Sequence, residues 1–253
     1  MVVVFDLNGT LLDNRAVQPV LRSIFGRKLG AQEFFTRVLQ YSMALTLSGE
    51  YRALSEIGRA VLEMEAEARQ ITLTTADKKR VQTALKKLPP FQDVPKSLRR
   101  LRKANLRLAV LTNSALEDAR EQVANARIDS YFEQVLSVSE VRRFKPSRET
   151  YQFAADALGV HPREILMVAA HAWDLMGAAA AGCQTAFVGR PGEALFPGAS
   201  RPAYVVKDLA QLVKELLPAE ARRVPRLLGT IAGVGAISAL GVAATLKRSR
   251  LGS

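Results

Sequence analysis

Short apolar segments alternate with amphipathic helical segments over the second half of the chain, and this alternation is the strongest constraint on its fold. Helical patterns separate four strand-like segments, "RLAVLTNS", "FEQVLSV", "EILMVAA" and "QTAFVGR". Parallel strands need a crossover connection, usually a helix, so alternation at this spacing is typical of a parallel sheet with helices on both faces. The pattern therefore predicts an α/β fold with a Rossmann-like parallel sheet.

The first strand is predicted far from the others, at the start of the chain. Residues 2–6 form a continuous apolar run that ends on an aspartate, as expected of a buried parallel strand. From 15 to 88 the apolar residues recur three and four apart, which predicts helices, and "PPFQDVP" ends this block. We predict an α/β core of residues 1–14 and 93–218, and a helical cap with its linker at 15–92.

The C-terminal residues 222–253 form a third region. Residues 227–246 contain no charge, and basic residues stand on both sides of them. Twenty uncharged, mainly apolar residues match the hydrocarbon thickness of a bilayer, so a C-terminal apolar helix acting as a membrane anchor is the favoured interpretation. The alternative is an Ala/Gly-rich helix that packs on the domain or on a partner.

Charge and cysteine content limit the other classes of function. Half of the net charge of +12 lies in residues 222–253, and elsewhere basic residues alternate with acidic ones. This distribution argues against a nucleic-acid surface. The single cysteine, Cys183, excludes an internal disulfide, and the start of the chain lacks the basic region of a signal peptide. We therefore expect a cytoplasmic catalytic domain, whether or not it is anchored.

Chemically useful side chains follow several predicted strands. The carboxyl ends of parallel strands meet at one edge of an open sheet, where ligands bind. The residues that this rule brings together are Asp6, Thr112, Asn113, Lys145, His171 and Asp174. The sequence thus predicts one crevice that holds two carboxylates, an amine and small polar groups.

The same segments resemble a known family. "FDLNGTLLD", "VLTNS", "FKPSRETY" and "MVAAHAWDLMGAAAAG" resemble, in order and spacing, the four motifs of the haloacid dehalogenase superfamily, and the helical block stands where that superfamily places a cap. Its phosphatases resemble DxDGT in the first motif and carry an acidic pair in the fourth. Here Asn8 replaces the second aspartate, and only Asp174 of the acidic pair is present.

With these departures, the four motifs resemble those of the type II L-2-haloacid dehalogenase branch. The resemblance implies hydrolytic dehalogenation of a small 2-haloacid through a covalent aspartyl ester, without a metal or cofactor. Halide leaves carbon without needing a proton, which is consistent with Asn8 in place of an acid. The resemblance also implies a homodimer.

The resemblance assigns roles to the candidate residues. Asp6 is the expected nucleophile, Lys145 the charge that keeps it ionised, and Asp174 the partner of Lys145 that helps to activate water. Six further residues are candidates for binding substrate or orienting Asp6: Thr10, Thr112, Asn113, Tyr151, His171 and Arg37. For His171 a structural role, and for Arg37 a plain position on the helix surface, are the alternatives.

Two other functions remain open at this stage. A phosphatase-like hydrolase of the same superfamily would share the fold and the nucleophile. A membrane-tethered, non-catalytic member would explain the departures from the dehalogenase pattern at Asn8, Ala169 and His171.

Overall fold

The computed structural model describes residues 1–217. Within them, six parallel strands form one sheet in the order β3-β2-β1-β4-β5-β6. The strands are β1 (Val2–Phe5), β2 (Arg107–Thr112), β3 (Gln134–Ser137), β4 (Ile165–Ala169), β5 (Gln184–Val188) and β6 (Tyr204–Val206). The predicted parallel α/β sheet is confirmed.

Both faces of this sheet are covered, which explains why its strands are apolar throughout. In β1, Val3 and Phe5 pack into one apolar cluster and Val2 and Val4 into the cluster on the opposite face. The core helices are α5 (Val94–Lys103), α6 (Leu116–Asn125), α7 (Arg148–Leu158), α8 (Ala172–Ala180) and α9 (Leu209–Leu216). Burial on both sides leaves only the ends of the strands for polar chemistry.

The strand order reverses beside β1, which pairs with β2 on one side and β4 on the other. The chain runs from β1 to β2 on one side and from β4 to β5 on the other, so a crevice opens between the carboxyl ends of β1 and β4. Asp6 directly follows β1 in this crevice.

Four helices make up the cap: α1 (Gln18–Phe25), α2 (Ala31–Leu47), α3 (Leu54–Ala68) and α4 (Thr75–Lys86). Their buried apolar residues form one cluster, which also includes Val138 and Phe144 of the core. Helix α4 begins after a capping threonine, since the Thr74 hydroxyl accepts a hydrogen bond from the Asp77 N–H. The predicted division between core and cap at 14/15 and 92/93 stays a prediction.

The two chain segments that join the cap to the core lie side by side. Leu12 forms an antiparallel bridge with Pro90. The Asp13 N–H donates to the Pro89 carbonyl at 2.8 Å, and the Phe91 N–H donates to the Leu11 carbonyl at 3.0 Å. The cap is thus attached through one short two-stranded neck.

One helix is displaced from its predicted position. The pattern "SLRRLRKANL" predicts a helix over 97–106, whereas α5 covers Val94–Lys103. Pro95 fits the first turn, where its missing N–H is not needed, and Asn105 adopts a positive φ of 59° that ends the helix.

Residues 227–246 lie outside the described residues, so the predicted C-terminal apolar helix and its membrane role stay predictions. Among the helices within residues 1–217, none is both long and apolar enough to cross a membrane.

Candidate active site

The Asp6 carboxylate is held from both sides at the end of β1. Its Oδ2 accepts a hydrogen bond from the Thr10 hydroxyl at 2.7 Å, and its Oδ1 accepts one from Lys145 Nζ at 3.1 Å. The Thr10 Oγ1 in turn accepts the Ala170 N–H at 3.0 Å, which ties it to the end of β4. Asp6 is therefore fixed in orientation by neighbours from two strands and from the Lys145 loop.

Lys145 joins the two carboxylates of the crevice. Its ammonium is fully buried and lies 2.8 Å from Asp174 Oδ2 as well as 3.1 Å from Asp6 Oδ1. The side-chain Oδ1 of Asn113 accepts the Lys145 main-chain N–H at 3.0 Å. Asn113 thus positions the backbone from which Lys145 reaches into the site.

Asp174 has a second partner in Tyr151. The Tyr151 hydroxyl donates to Asp174 Oδ1 at 2.6 Å and lies 2.8 Å from the Asp174 carbonyl oxygen. Helix α8, which carries Asp174, packs closely on the loop of Lys145, because a Cβ at Gly177 would lie 2.5 Å from the Pro146 carbonyl oxygen. Glycine at 177 is needed for this approach.

The buried charges shift one another's pKa values. Burial acts to raise the pKa of Asp6, but the charge of Lys145 and the hydrogen bonds from His171 and Thr10 hold it well below its usual value. Burial acts to lower the pKa of Lys145, but the charges of Asp174 and Asp6 raise it above its usual value. Burial and the nearby Asp6 charge raise the pKa of Asp174. Asp6 therefore stays ionised at neutral pH.

His171 is a third neighbour of Asp6. Its Nδ1 lies 3.2 Å from Asp6 Oδ2, and its ring stacks on Trp173 with centroids 5.3 Å apart. Burial acts to lower the pKa of His171, but the hydrogen bond and charge of Asp6, followed by Glu193, raise it above its usual value. The neighbouring Asp6 carboxylate therefore favours the protonated form of this imidazole.

The Gly9 backbone makes room for this histidine. Gly9 has a φ of 83°, and a Cβ there would lie 2.7 Å from His171 Cε1. Both the turn and the contact exclude a side chain at this position.

A cavity of about 600 Å³ opens above Asp6, between core and cap. The core contributes polar and aromatic side chains to its wall, including Asp6, Asn8, Thr112, Asn113, His171 and Trp173. The cap contributes mainly apolar ones, including Phe35, Leu39 and Met43. Because Arg15 and Arg190 also line it, the cavity suits a small molecule with an anionic group and an apolar part.

The structure brings eight of the nine predicted site residues into or beside this cluster. Thr10 and Tyr151 do not line the cavity, and they orient Asp6 and Asp174 instead. Thr112 lines it, although its Oγ1 also accepts the Ser114 N–H at 3.2 Å.

Arg37 is the exception: the structure places it away from the cavity, and its contact with substrate stays a prediction. Its side chain is 43% exposed and does not line the cavity. Its Nε lies 3.0 Å from Oε1 of the buried Glu65, which also pairs with Arg69. A buried carboxylate is costly without cationic partners, so Arg37 stabilises the cap.

Sequence reasoning missed Arg190, which lines the cavity at the end of β5. Its Nε donates to the Thr10 carbonyl at 3.0 Å, and its Nη1 pairs with Asp93 at 2.8 Å. The guanidinium lies 4.1 Å from the ring centroid of Phe91. Applying the strand-end rule to "QTAFVGR" would have found it.

The family model for haloacid dehalogenase-like hydrolases matches residues 1–182. The chain belongs to this family. Among residues 1–217 of this haloacid dehalogenase-like hydrolase, no group of three or more His, Cys, Asp or Glu side chains is placed to hold a metal ion.

Two curated relatives of this haloacid dehalogenase-like hydrolase are bacterial dehalogenases. It is 32% identical over 218 residues to the (S)-2-haloacid dehalogenase 1 of Pseudomonas sp. (strain CBS-3), covering 84% of this chain and 96% of the relative. It is 29% identical over 215 residues to the (S)-2-haloacid dehalogenase of Pseudomonas sp. (strain YL), covering 84% and 92%.

A solved structure is similar over the same region. The L-2-haloacid dehalogenase from Xanthobacter autotrophicus, with chloropropionic acid covalently bound, superposes with a TM-score of 0.78 at 26% identity. The match covers 85% of this chain and 98% of that one. The resemblance to the L-2-haloacid dehalogenase branch is confirmed.

Proposed function

We propose that the protein hydrolyses the carbon–halogen bond of a small (S)-2-haloacid through an ester on Asp6. The observation that carries the proposal is the Asp6 carboxylate, kept ionised by Lys145 and oriented by Thr10 beside a cavity between core and cap. The two curated dehalogenases and the covalent chloropropionic acid complex of a similar structure support it.

In the first step an Asp6 oxygen attacks the carbon that bears the halogen. The new carbon–oxygen bond forms as the carbon–halogen bond breaks, and the halide leaves with the bonding electrons. No proton is needed on the leaving group. Asn8, whose Nδ2 donates to Ser114 Oγ at 2.9 Å, therefore has no acid role to fill.

In the second step water attacks the Asp6 carboxyl carbon, and His171 is the proposed proton acceptor. Esterification removes the negative charge of Asp6, so the pKa of His171 falls and the imidazole releases its proton to solvent. The neutral ring takes one proton from water and returns it to the departing 2-hydroxyacid oxygen. The other water proton leaves the regenerated Asp6 carboxyl group.

Release of halide tests the proposed function directly. We expect the protein to release chloride from L-2-chloropropionate equally well with and without a chelator. In ¹⁸O-labelled water under single-turnover conditions, the label should enter Asp6, because water attacks its carboxyl carbon. Absence of chloride release, or label only in the product, contradicts this mechanism.

The role of His171 gives a pH-dependent prediction. We expect His171→Gln to slow ester hydrolysis by roughly 10²- to 10⁴-fold and ester formation much less, so that the ester accumulates in acid-quenched samples analysed by mass spectrometry. In the wild-type protein, hydrolysis should slow as the pH falls through the pKa of His171 in the ester. That pH should lie below the value found by NMR titration in the free protein.

His161 supplies a matched control, since it is the other histidine of the chain and lies at the start of a short 3₁₀ helix. His161→Gln should hydrolyse the ester like the wild type. An ester that fails to accumulate in His171→Gln would show that another group receives the proton.

A further inference from the structure

A second cavity, of about 630 Å³, lies inside the cap beside the catalytic one. Helices α2, α3 and α4 form its walls, and α6 of the core closes one side. Most of its interior is apolar, with Phe34, Phe35, Leu62, Val81, Leu85 and Leu88 among the lining side chains.

The two cavities share one wall. Asn8, Phe35, Val38 and Leu54 line both of them. Asn8 stands two residues after Asp6, and its Oδ1 is buried without a hydrogen-bond partner. The second cavity therefore begins near the nucleophile, at a boundary formed by side chains that line both cavities.

Charged groups are confined to the outer part of this second cavity, where several form ion pairs. Lys78 lies 2.5 Å from Glu63, and Lys86 lies 2.7 Å from Glu121 of α6. The Gln122 side chain also donates to the Leu85 carbonyl at 2.9 Å, which fastens α4 to α6. These contacts join the helices around the apolar interior, which suits an uncharged hydrocarbon segment.

We propose that this second cavity binds the alkyl chain of the substrate, so that the protein prefers 2-haloalkanoic acids with a chain longer than that of 2-chloropropionate. The inference rests on the proposed function. A substrate whose halogen-bearing carbon contacts Asp6 places the first part of its carbon chain in the catalytic cavity, and a longer chain extends into an adjoining apolar space. The apolar space that adjoins the catalytic cavity along four shared residues is the second cavity.

A chain-length series tests the proposal. We expect kcat/KM to increase from L-2-bromopropionate to L-2-bromooctanoate, by up to about fourfold for each methylene group that leaves water. A kcat/KM that stays level or falls with chain length overturns the proposal.

Filling the second cavity should remove this gain. Gly58 of α3 lines the second cavity and not the catalytic one, and a Cβ there would lie 3.9 Å from the Phe34 ring. We expect Gly58→Leu to lower the ratio of kcat/KM for bromooctanoate to that for bromopropionate by at least about tenfold. Gly58→Ala is the matched control and should lower the ratio less. An equal loss for both substrates overturns the proposal.

A second variant and a binding measurement complete the test of the second cavity. Ser55→Phe narrows the same cavity from an exposed position of α3, and it replaces Gly58→Leu if that variant does not fold. Calorimetric binding of octanoate, which carries no halogen, needs no turnover. The proposal is supported if octanoate binds the wild type more tightly than propionate does, and binds the filled variant less tightly than the wild type. Equal affinities of the wild type for octanoate and propionate overturn it. Failure of halide release alone counts against the proposed function instead.

Discussion

Asp6→Ala should abolish halide release, with a fall of roughly 10⁴- to 10⁶-fold, as for other covalent nucleophiles. Without the carboxylate no ester forms, and none of the neighbouring groups can replace it. Lys145 keeps Asp174 as a partner at 2.8 Å, so the folded protein tolerates the change. Chloride release from L-2-chloropropionate and mass spectrometry of quenched protein measure the effect.

Asp129→Ala provides the control for this prediction. Asp129 is an exposed aspartate in a short 3₁₀ helix of the core. Its replacement should leave chloride release at the wild-type rate. Chloride release by Asp6→Ala within a factor of ten of the wild type would rule out Asp6 as the nucleophile.

Lys145→Met should have the largest effect on stability. The substitution leaves Asp6 and Asp174 buried without their common cation, which costs about 3–5 kcal/mol and also stops halide release. The two carboxylates then repel each other, so their pKa values rise. The loss should therefore be largest at about pH 8 and shrink towards about pH 5, where protonation removes the unpaired charge. Urea unfolding at both pH values measures it.

Two variants separate the ion pairs from other effects of this change. Lys96→Met alters an exposed lysine of α5 and should leave the free energy of unfolding within about 0.5 kcal/mol of the wild type. Adding Asp174→Asn to Lys145→Met removes one of the two carboxylates, so stability at about pH 8 should recover in part while activity stays lost. A loss of stability independent of pH would contradict the electrostatic cause.

The strand-end rule explains why the core of the site could be predicted. Asp6, Asn113 and Lys145 follow strands that are adjacent in one parallel sheet, so their convergence follows from topology and needs no knowledge of packing. His171 likewise follows β4, although the sequence could not show that its Nδ1 meets Asp6.

The cap could not be predicted to the same depth. Helical periodicity predicts which face of α2 is buried, but not which buried residues face the core. Arg37 and Phe35 are two positions apart on α2; Arg37 pairs with Glu65, whereas Phe35 lines both cavities. Which of them meets substrate depends on how the cap docks on the sheet, and a single sequence does not encode that docking locally.

Tyr151 shows a related limit. The motif predicts a tyrosine near Lys145, yet the hydroxyl bonds to Asp174 and stays out of the cavity. Only the three-dimensional arrangement distinguishes a residue that touches substrate from one that holds such a residue in place.

The neck formed by Leu12 and Pro90 lets the cap and the core change independently in evolution. Because the cap leaves and re-enters the sheet domain at neighbouring points, a different insert could replace it without moving any strand. The core residues that break the carbon–halogen bond and the cap residues that select the substrate can thus evolve separately. Grafting the caps of other dehalogenases onto this neck would exchange molecular preference while keeping one reaction.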